Sequence, residues 1–190
     1  MKIAIDMDGT INYFDEKFIF TVKELGYGYD SLSFYKEGDW ELEKYIIGSD
    51  NPKKIMSQIC EKSSFWMGIP PMVEAIEVIR RLNRDHEIVI ATTPWRDEEK
   101  FKLTKIKWMH KYFRCIKESQ IVFSSKKWEL DIDIIIDDKP STLEACTNEG
   151  ITTICFAHSY NSGVKTDYRS SKWSTIEKYI DKMTKKGVTI

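Results

Sequence analysis

Nowhere in its 190 residues does the chain approach the ~20 consecutive apolar positions that a membrane span requires. Its start, Met1-Lys2-Ile3-Ala4-Ile5-Asp6, turns acidic after three apolar residues, too soon for the core of a signal peptide. A soluble, unexported, cytoplasmic protein is the expectation. Cysteine is sparse as well. Cys60, Cys115, Cys146 and Cys155 lie far apart and form no CxxC pair, which speaks against a zinc site or a disulfide framework and for reduced thiols. No internal repeat, low-complexity stretch or Gly/Ser linker interrupts the chain, so one core is the default. An excess of one charge is also missing: 29 Lys and Arg face 30 Asp and Glu, a net charge of −1. The footprint of non-specific binding to a long nucleic acid or an anionic membrane is absent. A small, locally recognised partner fits better.

Present instead is ample core material, with 42% apolar, 13% aromatic and 31% charged residues. Short runs rich in Ile and Val recur at Lys2–Ile5, Glu87–Ala91, Gln120–Phe123, Ile132–Ile136 and Thr152–Phe156, and read as strands buried on both faces. Between and after them lie helical patterns at Met72–Leu82, Asp97–Phe113, Ser141–Asn148 and Ser174–Lys186. This alternation predicts an α/β fold, a mostly parallel sheet between helices in three layers, with right-handed crossovers. Residues 14–74 break the alternation. They hold amphipathic pieces (Phe14–Leu25, Trp40–Ile47, Pro52–Glu61) and no convincing strand, and read as a small helical cap inserted after the first strand of a core formed by residues 1–13 and 75–190. Ser159–Ser171 is polar enough to read as a long surface loop.

The sharpest local signal is Asp6-Met7-Asp8-Gly9-Thr10, where two carboxylates follow the first strand and project to the edge at which a parallel sheet forms its ligand crevice. An EF-hand loop would put glycine sixth and glutamate twelfth, whereas here glycine is fourth and Lys17 twelfth. The plain competing explanation is an acidic turn. Asp137-Asp138 ends the strand Ile132–Ile136 and would share that edge; taken alone, Asp137-Asp138-Lys139-Pro140 reads better as a polar strand-to-helix turn. Four carboxylates in one crevice repel one another, an arrangement that predicts a hard divalent cation, Mg²⁺ before Ca²⁺ if phosphate is the substrate. Ala91-Thr92-Thr93-Pro94 closes another strand with hydroxyl and N–H groups suited to phosphate oxygens. On the predicted helix, Phe101, Lys105, Trp108 and Tyr112 form one stripe, so Lys105 sits among aromatics and needs an anionic partner, while Lys100, Lys107 and Lys111 fall on the solvated side. Lys126 and Lys127 are rival cations, and their loop setting favours ordinary solvation.

With these four elements in this order, the sequence resembles the haloacid dehalogenase superfamily of phosphohydrolases. Within it, the thirteen-residue step from Thr92 to Lys105, the segment Lys105–Phe113 and Asp137-Asp138 are similar to the 5'(3')-deoxyribonucleotidase family, as is Phe14, six residues beyond Asp8. The resemblance covers most of residues 1–13 and 65–180. It implies that Asp6 is the nucleophile of an aspartyl-phosphate pathway and Asp8 its acid and base. It further implies Mg²⁺ held by Asp6, the Asp8 carbonyl and Asp138, with Asp137 ordering water, and a phosphate clamp of Thr92 and Lys105. Phe14, Trp40, Phe65 and Trp66 are candidates for stacking on a base or excluding water, although lid-core packing explains the last three equally well. Thr93 and Arg96 are candidates for contacts to phosphate or sugar. A homodimer would be in keeping with the resemblance. The competing functions are a phosphatase for a sugar phosphate or nucleic-acid terminus, and a catalytically silent binding protein on the same scaffold.

Overall fold

The computed structural model of the protein describes residues 1–37 and 41–187; Trp40 lies outside the described residues. The chain opens with β1 (Lys2–Ile5) and then enters the insert: α1 (Phe14–Glu24), β2 (Gly28–Tyr29), α2 (Ser31–Glu37), β3 (Ile46–Ile47), α3 (Pro52–Cys60) and α4 (Ser63–Met67). It returns through α5 (Val73–Asp85), β4 (Glu87–Thr92), α6 (Glu99–Tyr112), β5 (Ile121–Phe123), β6 (Ile134–Asp137), α7 (Pro140–Asn148), β7 (Thr152–Phe156), β8 (Tyr168–Ser170) and α8 (Trp173–Gly187). Among the described residues no helix is long and apolar enough to cross a membrane.

Among the described residues the main sheet has six strands, all parallel, in the order β5-β4-β1-β6-β7-β8. Register and pleat divide its core. Ile3 pairs with Ile88 and Ile134, and Ile5 with Ile90 and Ile136, so these isoleucines point to one face. There they pack with Val78 and Ile79 of α5, Trp108 and Met109 of α6, and Trp173 and Ile176 of α8. Ala4, Ala91 and Ile135 point to the other face, against Cys146 of α7 and the half-buried Trp128 and Leu130. The chain runs outward from β1 through β4 to β5, then returns to the opposite side of β1 for β6, β7 and β8. The order therefore reverses between β1 and β6, where the carboxyl ends of an open parallel sheet form a crevice.

Two readings from the sequence are corrected. Residues 14–74 are not purely helical, because β2 and β3 pair antiparallel through two residues each, too short to leave a periodic signal. The segment Ser159–Ser171 is no mere surface loop. It contains a 3-10 turn, Ser159–Asn161, with Tyr160 and Asn161 buried, and ends in the edge strand β8. β8 reads Tyr-Arg-Ser and is half-buried, so it carries no apolar run.

The insert has its own hydrophobic cluster, built on Phe14, Phe18 and Val22 of α1, Phe34 of α2, and Ile55 and Ile59 of α3. α3 begins on Asn51, whose side chain accepts a hydrogen bond from the Lys54 N–H at 3.0 Å, with Pro52 in the first turn. Two buried indoles pin the chain where it enters and leaves the insert. Trp173 donates to the Thr10 carbonyl at 3.1 Å, and Trp108 to the Ile69 carbonyl at 2.9 Å.

Candidate active site

The ladder between β1 and β6 runs one residue past β1, with the Asp6 N–H donating to the Ile136 carbonyl at 2.9 Å. The pleat then puts Asp6 and Asp137 on the face of Ala4 and Ile135. Asp138 follows directly, and oxygens of Asp6, Asp137 and Asp138 all lie within 4.8 Å of one another. Asp8 is not in this cluster. After Met7 the chain bends into a tight loop, in which the Asn12 side chain accepts from the Gly9 N–H at 3.2 Å and donates to Asp8 Oδ1 at 3.0 Å. Gly9 is required there. Its φ is +75°, and a Cβ would lie 2.7 Å from Asp138 Oδ2.

Two buried lysines enter from opposite faces of the sheet. Lys127, 4% exposed, follows β5 and contacts Asp6 Oδ1, with its Nζ 2.7 Å from Asp137 Oδ2. Lys105, 2% exposed, comes from α6 on the other face; it contacts Asp8 Oδ2 and donates to Thr92 Oγ1 at 3.1 Å, with Nζ 5.0 Å from the Trp66 ring centroid. The stripe of Phe101, Lys105 and Trp108 is buried as the sequence indicates. Solvation of Lys127 is the expectation that fails. Its loop lies at the carboxyl edge of the sheet, beside the acidic strand ends, and this position in the topology is the signal that identifies it.

Burial lifts the Asp6 carboxyl to about 6, against the pull of Lys127 and with the repulsion of Asp137 and Asp8 adding to the rise. Asp138 is held well above the ordinary carboxylate range by burial and by Asp6 and Asp137, although Tyr160 donates to its Oδ2 at 2.5 Å. Burial opposes the charge on Lys127, but Asp137 and Asp6 outweigh it and hold the ammonium above its usual value. Three buried carboxylates thus crowd together beside one lysine, which meets Asp6 and Asp137. Their all-oxygen donor set fits a hard divalent cation.

A cavity of about 320 Å³ opens over these groups. Asp6, Asp8, Thr92, Lys127 and Asp137 line it on the sheet side, and Phe14, Leu42, Met56 and Trp66 on the insert side. Of the other residues singled out in the sequence, Phe14 stacks on Trp66 with centroids 5.5 Å apart, and Thr93 lines the cavity while donating to the Ser124 carbonyl at 3.1 Å. Phe65 packs inside the insert cluster. Arg96 is not brought to the cavity. It lies 2.7 Å from Glu61 and joins the 93–98 loop to the end of α3.

The model of the family described as 5' nucleotidase, deoxy (pyrimidine), cytosolic type C matches residues 1–186. The chain is 26% identical over 185 residues, 94% of each chain, to a Staphylococcus aureus protein named "Putative 5'(3')-deoxyribonucleotidase". It is 23% identical over 167 residues to the mitochondrial 5'(3')-deoxyribonucleotidase of Mus musculus, covering 85% of this chain and 74% of that one. Among solved structures, a haloacid dehalogenase family hydrolase from Deinococcus radiodurans superimposes with a TM-score of 0.66 at 12% identity over 95% of each chain, a likeness of fold. The extent of the family match, together with the carboxylate crevice and its two lysines, identifies the chain as a member of the 5'(3')-deoxyribonucleotidase family, phosphoric monoester hydrolases of the haloacid dehalogenase fold.

Proposed function

We propose that the protein is a Mg²⁺-dependent phosphomonoesterase of small nucleoside monophosphates, working through an aspartyl-phosphate on Asp6. The observation that carries this reading is the separate partnering of two carboxylates two residues apart. Asp6 faces the acidic cluster and Lys127, whereas Asp8 faces Lys105 and Asn12. Such separation suits a nucleophile beside an acid and base. An Asp6 oxygen attacks phosphorus, the bond from phosphorus to the nucleoside oxygen breaks, and Asp8 delivers the proton that oxygen needs. Asp8 then takes a proton from the attacking water, and the bond between Asp6 and phosphorus breaks to release inorganic phosphate. Lys127 and Lys105 counter the charge that would repel an anionic ester, and Thr92 Oγ1 donates to a phosphoryl oxygen. Asp6, Asp138 and the Asp8 carbonyl would hold Mg²⁺. When bound, the ion screens the carboxylates and draws charge from the phosphoryl oxygens. Residues 14–74 act as a cap, with Phe14 and Trp66 forming an apolar wall suited to a base.

Phosphate release from deoxy- and ribonucleoside monophosphates and sugar phosphates, with Mg²⁺ and with chelator, tests this reading on wild type and Asp6→Asn. Expected is Mg²⁺-dependent turnover of nucleotides that Asp6→Asn abolishes. Metal-independent release, or an active Asp6→Asn protein, removes the mechanism; turnover confined to sugar phosphates removes the nucleotide assignment. Phe14→Ala should lower nucleotide hydrolysis far more than hydrolysis of a small aryl phosphate, and equal losses would mean that Phe14 only packs.

A further inference from the structure

Asp138 is held by more hydrogen bonds than its own strand supplies. Thr10 Oγ1 donates to its Oδ1 at 3.1 Å and the Tyr160 hydroxyl to its Oδ2 at 2.5 Å. Its carbonyl accepts from the Asn161 side chain at 2.8 Å, and Arg169 of β8 in turn donates to Asn161 Oδ1 at 2.6 Å. Tyr160 is the unusual member. It follows β7 in the sheet, yet its ring belongs to the hydrophobic cluster of the insert, with its centroid 5.5 Å from that of Phe34 in α2. His158 stacks on the same ring at 4.8 Å and 7°, and its Nε2 donates to the Gly9 carbonyl at 2.6 Å. One rigid side chain therefore touches the insert with its ring and a cluster carboxylate with its hydroxyl. There is little slack, since a Cβ on Gly9 would stand 2.7 Å from Asp138 Oδ2 and 3.3 Å from the Tyr160 hydroxyl.

We propose that Tyr160 is a positioning residue that couples the orientation of Asp138, and with it the affinity of the carboxylate cluster for a divalent cation, to the seating of α2 over the sheet. A shift of α2 that unseats the ring moves the hydroxyl away from Asp138, and the carboxylate then loses its fixed direction. Groups that orient metal ligands are typically worth about 10- to 100-fold in metal affinity. The proposal rests on the reading that Asp6 and Asp138 hold Mg²⁺.

The test is Mg²⁺ titration of the substrate-free protein, read as the rise in thermal unfolding midpoint, with the Mg²⁺ half-saturation of turnover measured alongside. Tyr160→Phe keeps the ring and removes the hydroxyl; Phe34→Ala keeps the hydroxyl and removes its seat, with Phe34→Leu as the milder alternative. Expected is a Mg²⁺ half-saturation about tenfold or more higher in Tyr160→Phe and a smaller shift in the same direction in the Phe34 variant. The double variant should match Tyr160→Phe alone, because both changes act through one hydroxyl. Wild-type Mg²⁺ affinity in Tyr160→Phe would overturn the proposal while leaving the functional reading intact. Unchanged affinity in the Phe34 variants, or a double variant equal to the product of the two single effects, would overturn the coupling. A wild-type protein that ignores Mg²⁺ would overturn the functional reading and the proposal together.

Discussion

Asp15 carries a measurable penalty. It sits in the first turn of α1, 2% exposed, and neither carboxylate oxygen has a hydrogen-bond partner among the described residues. Burial, helped by the charge of Glu16 and opposed by the neighbouring Tyr160 hydroxyl, lifts its carboxyl from the ordinary 3.8 to about 7. At ~1.4 kcal/mol per pH unit that interval corresponds to about 4 kcal/mol. The folded state holds the proton more tightly than the unfolded chain. The carboxyl therefore costs nothing below pH 3.8, stability falls as pH rises through the window to about 7, and the full cost is in place above it. Asp15→Asn removes the charge at similar shape. It also forfeits ~0.3–1 kcal/mol of favourable interaction with the helix N-terminus and leaves an amide to be satisfied at ~1 kcal/mol or more. The net gain expected at pH 8 is about 2 kcal/mol. The sharper quantity is the pH dependence of the difference between the two proteins, because offsets independent of pH cancel in it. Urea unfolding in chelator at pH 8 and pH 5 should show the advantage of Asp15→Asn shrinking by about 2 to 3 kcal/mol toward the lower pH. An advantage that is the same at both values would refute the reasoning, since Asp15 would then titrate as it does in the unfolded chain.

The remaining predictions concern the site and its rim. Lys127→Met leaves Asp6 and Asp137 facing each other without their ammonium. Metal-free stability should drop by about 3–5 kcal/mol and kcat by about 10²- to 10³-fold, while Lys126→Met, on a lysine paired with Glu129 at the surface, should stay within about threefold; similar losses in both variants would return Lys127 to the solvated class. Gly9→Ala forces a side chain into a left-handed backbone and against Asp138, and unfolding experiments should show a loss of about 2 kcal/mol or more. Arg96→Ala should leave kcat/KM within about threefold, because the guanidinium is an exposed partner of Glu61. A loss beyond tenfold in steady-state kinetics would put Arg96 on the substrate.

The parts of this fold legible in the sequence are those that a local pattern determines. β1, β4, β6 and β7 are buried on both faces, so their Ile and Val runs stand out, and the order of strands and helices yields the parallel sheet. The acidic pairs follow, because a residue just after a parallel strand must sit at the carboxyl edge. Lys105 is legible for a similar reason: its helical stripe is otherwise aromatic, and burying that stripe carries the lysine inward. β8 and Lys127 escape this logic. β8 is an edge strand of three half-buried residues, one of them Arg169, whose Nη2 bonds Asn161, and a lysine in a loop is buried only by what the rest of the chain brings to it. Tyr160 is hidden for the same reason, since Phe34 and Asp138, which its ring and hydroxyl meet, are distant in sequence. Arg96 misleads in the opposite way. Four residues past Thr92 it is close to the strand end along the chain, yet the loop turns toward α3 and gives its charge to Glu61.

The near-balance of charge over the whole chain hides a local imbalance, and this bears on the proposed cation. Asp6, Asp8, Asp137 and Asp138 converge at the sheet edge, while Lys105 and Lys127 are the buried ammonium groups that meet them. The lysines do not divide their charge evenly. Lys105 answers Asp8 on one face, and Lys127 answers Asp6 and Asp137 on the other, while Asp138, among the described residues, is met by neutral donors, Thr10 and Tyr160 at its oxygens and Asn161 at its carbonyl. With every carboxyl ionised the four acids exceed the two lysines by two charges, the charge of one divalent ion, and the surplus lies on the Asp138 side of the cluster. Burial, and after it this crowding of like charge, raises the carboxyls of Asp6 and Asp138 above their ordinary range. A phosphate monoester adds negative charge at that same edge.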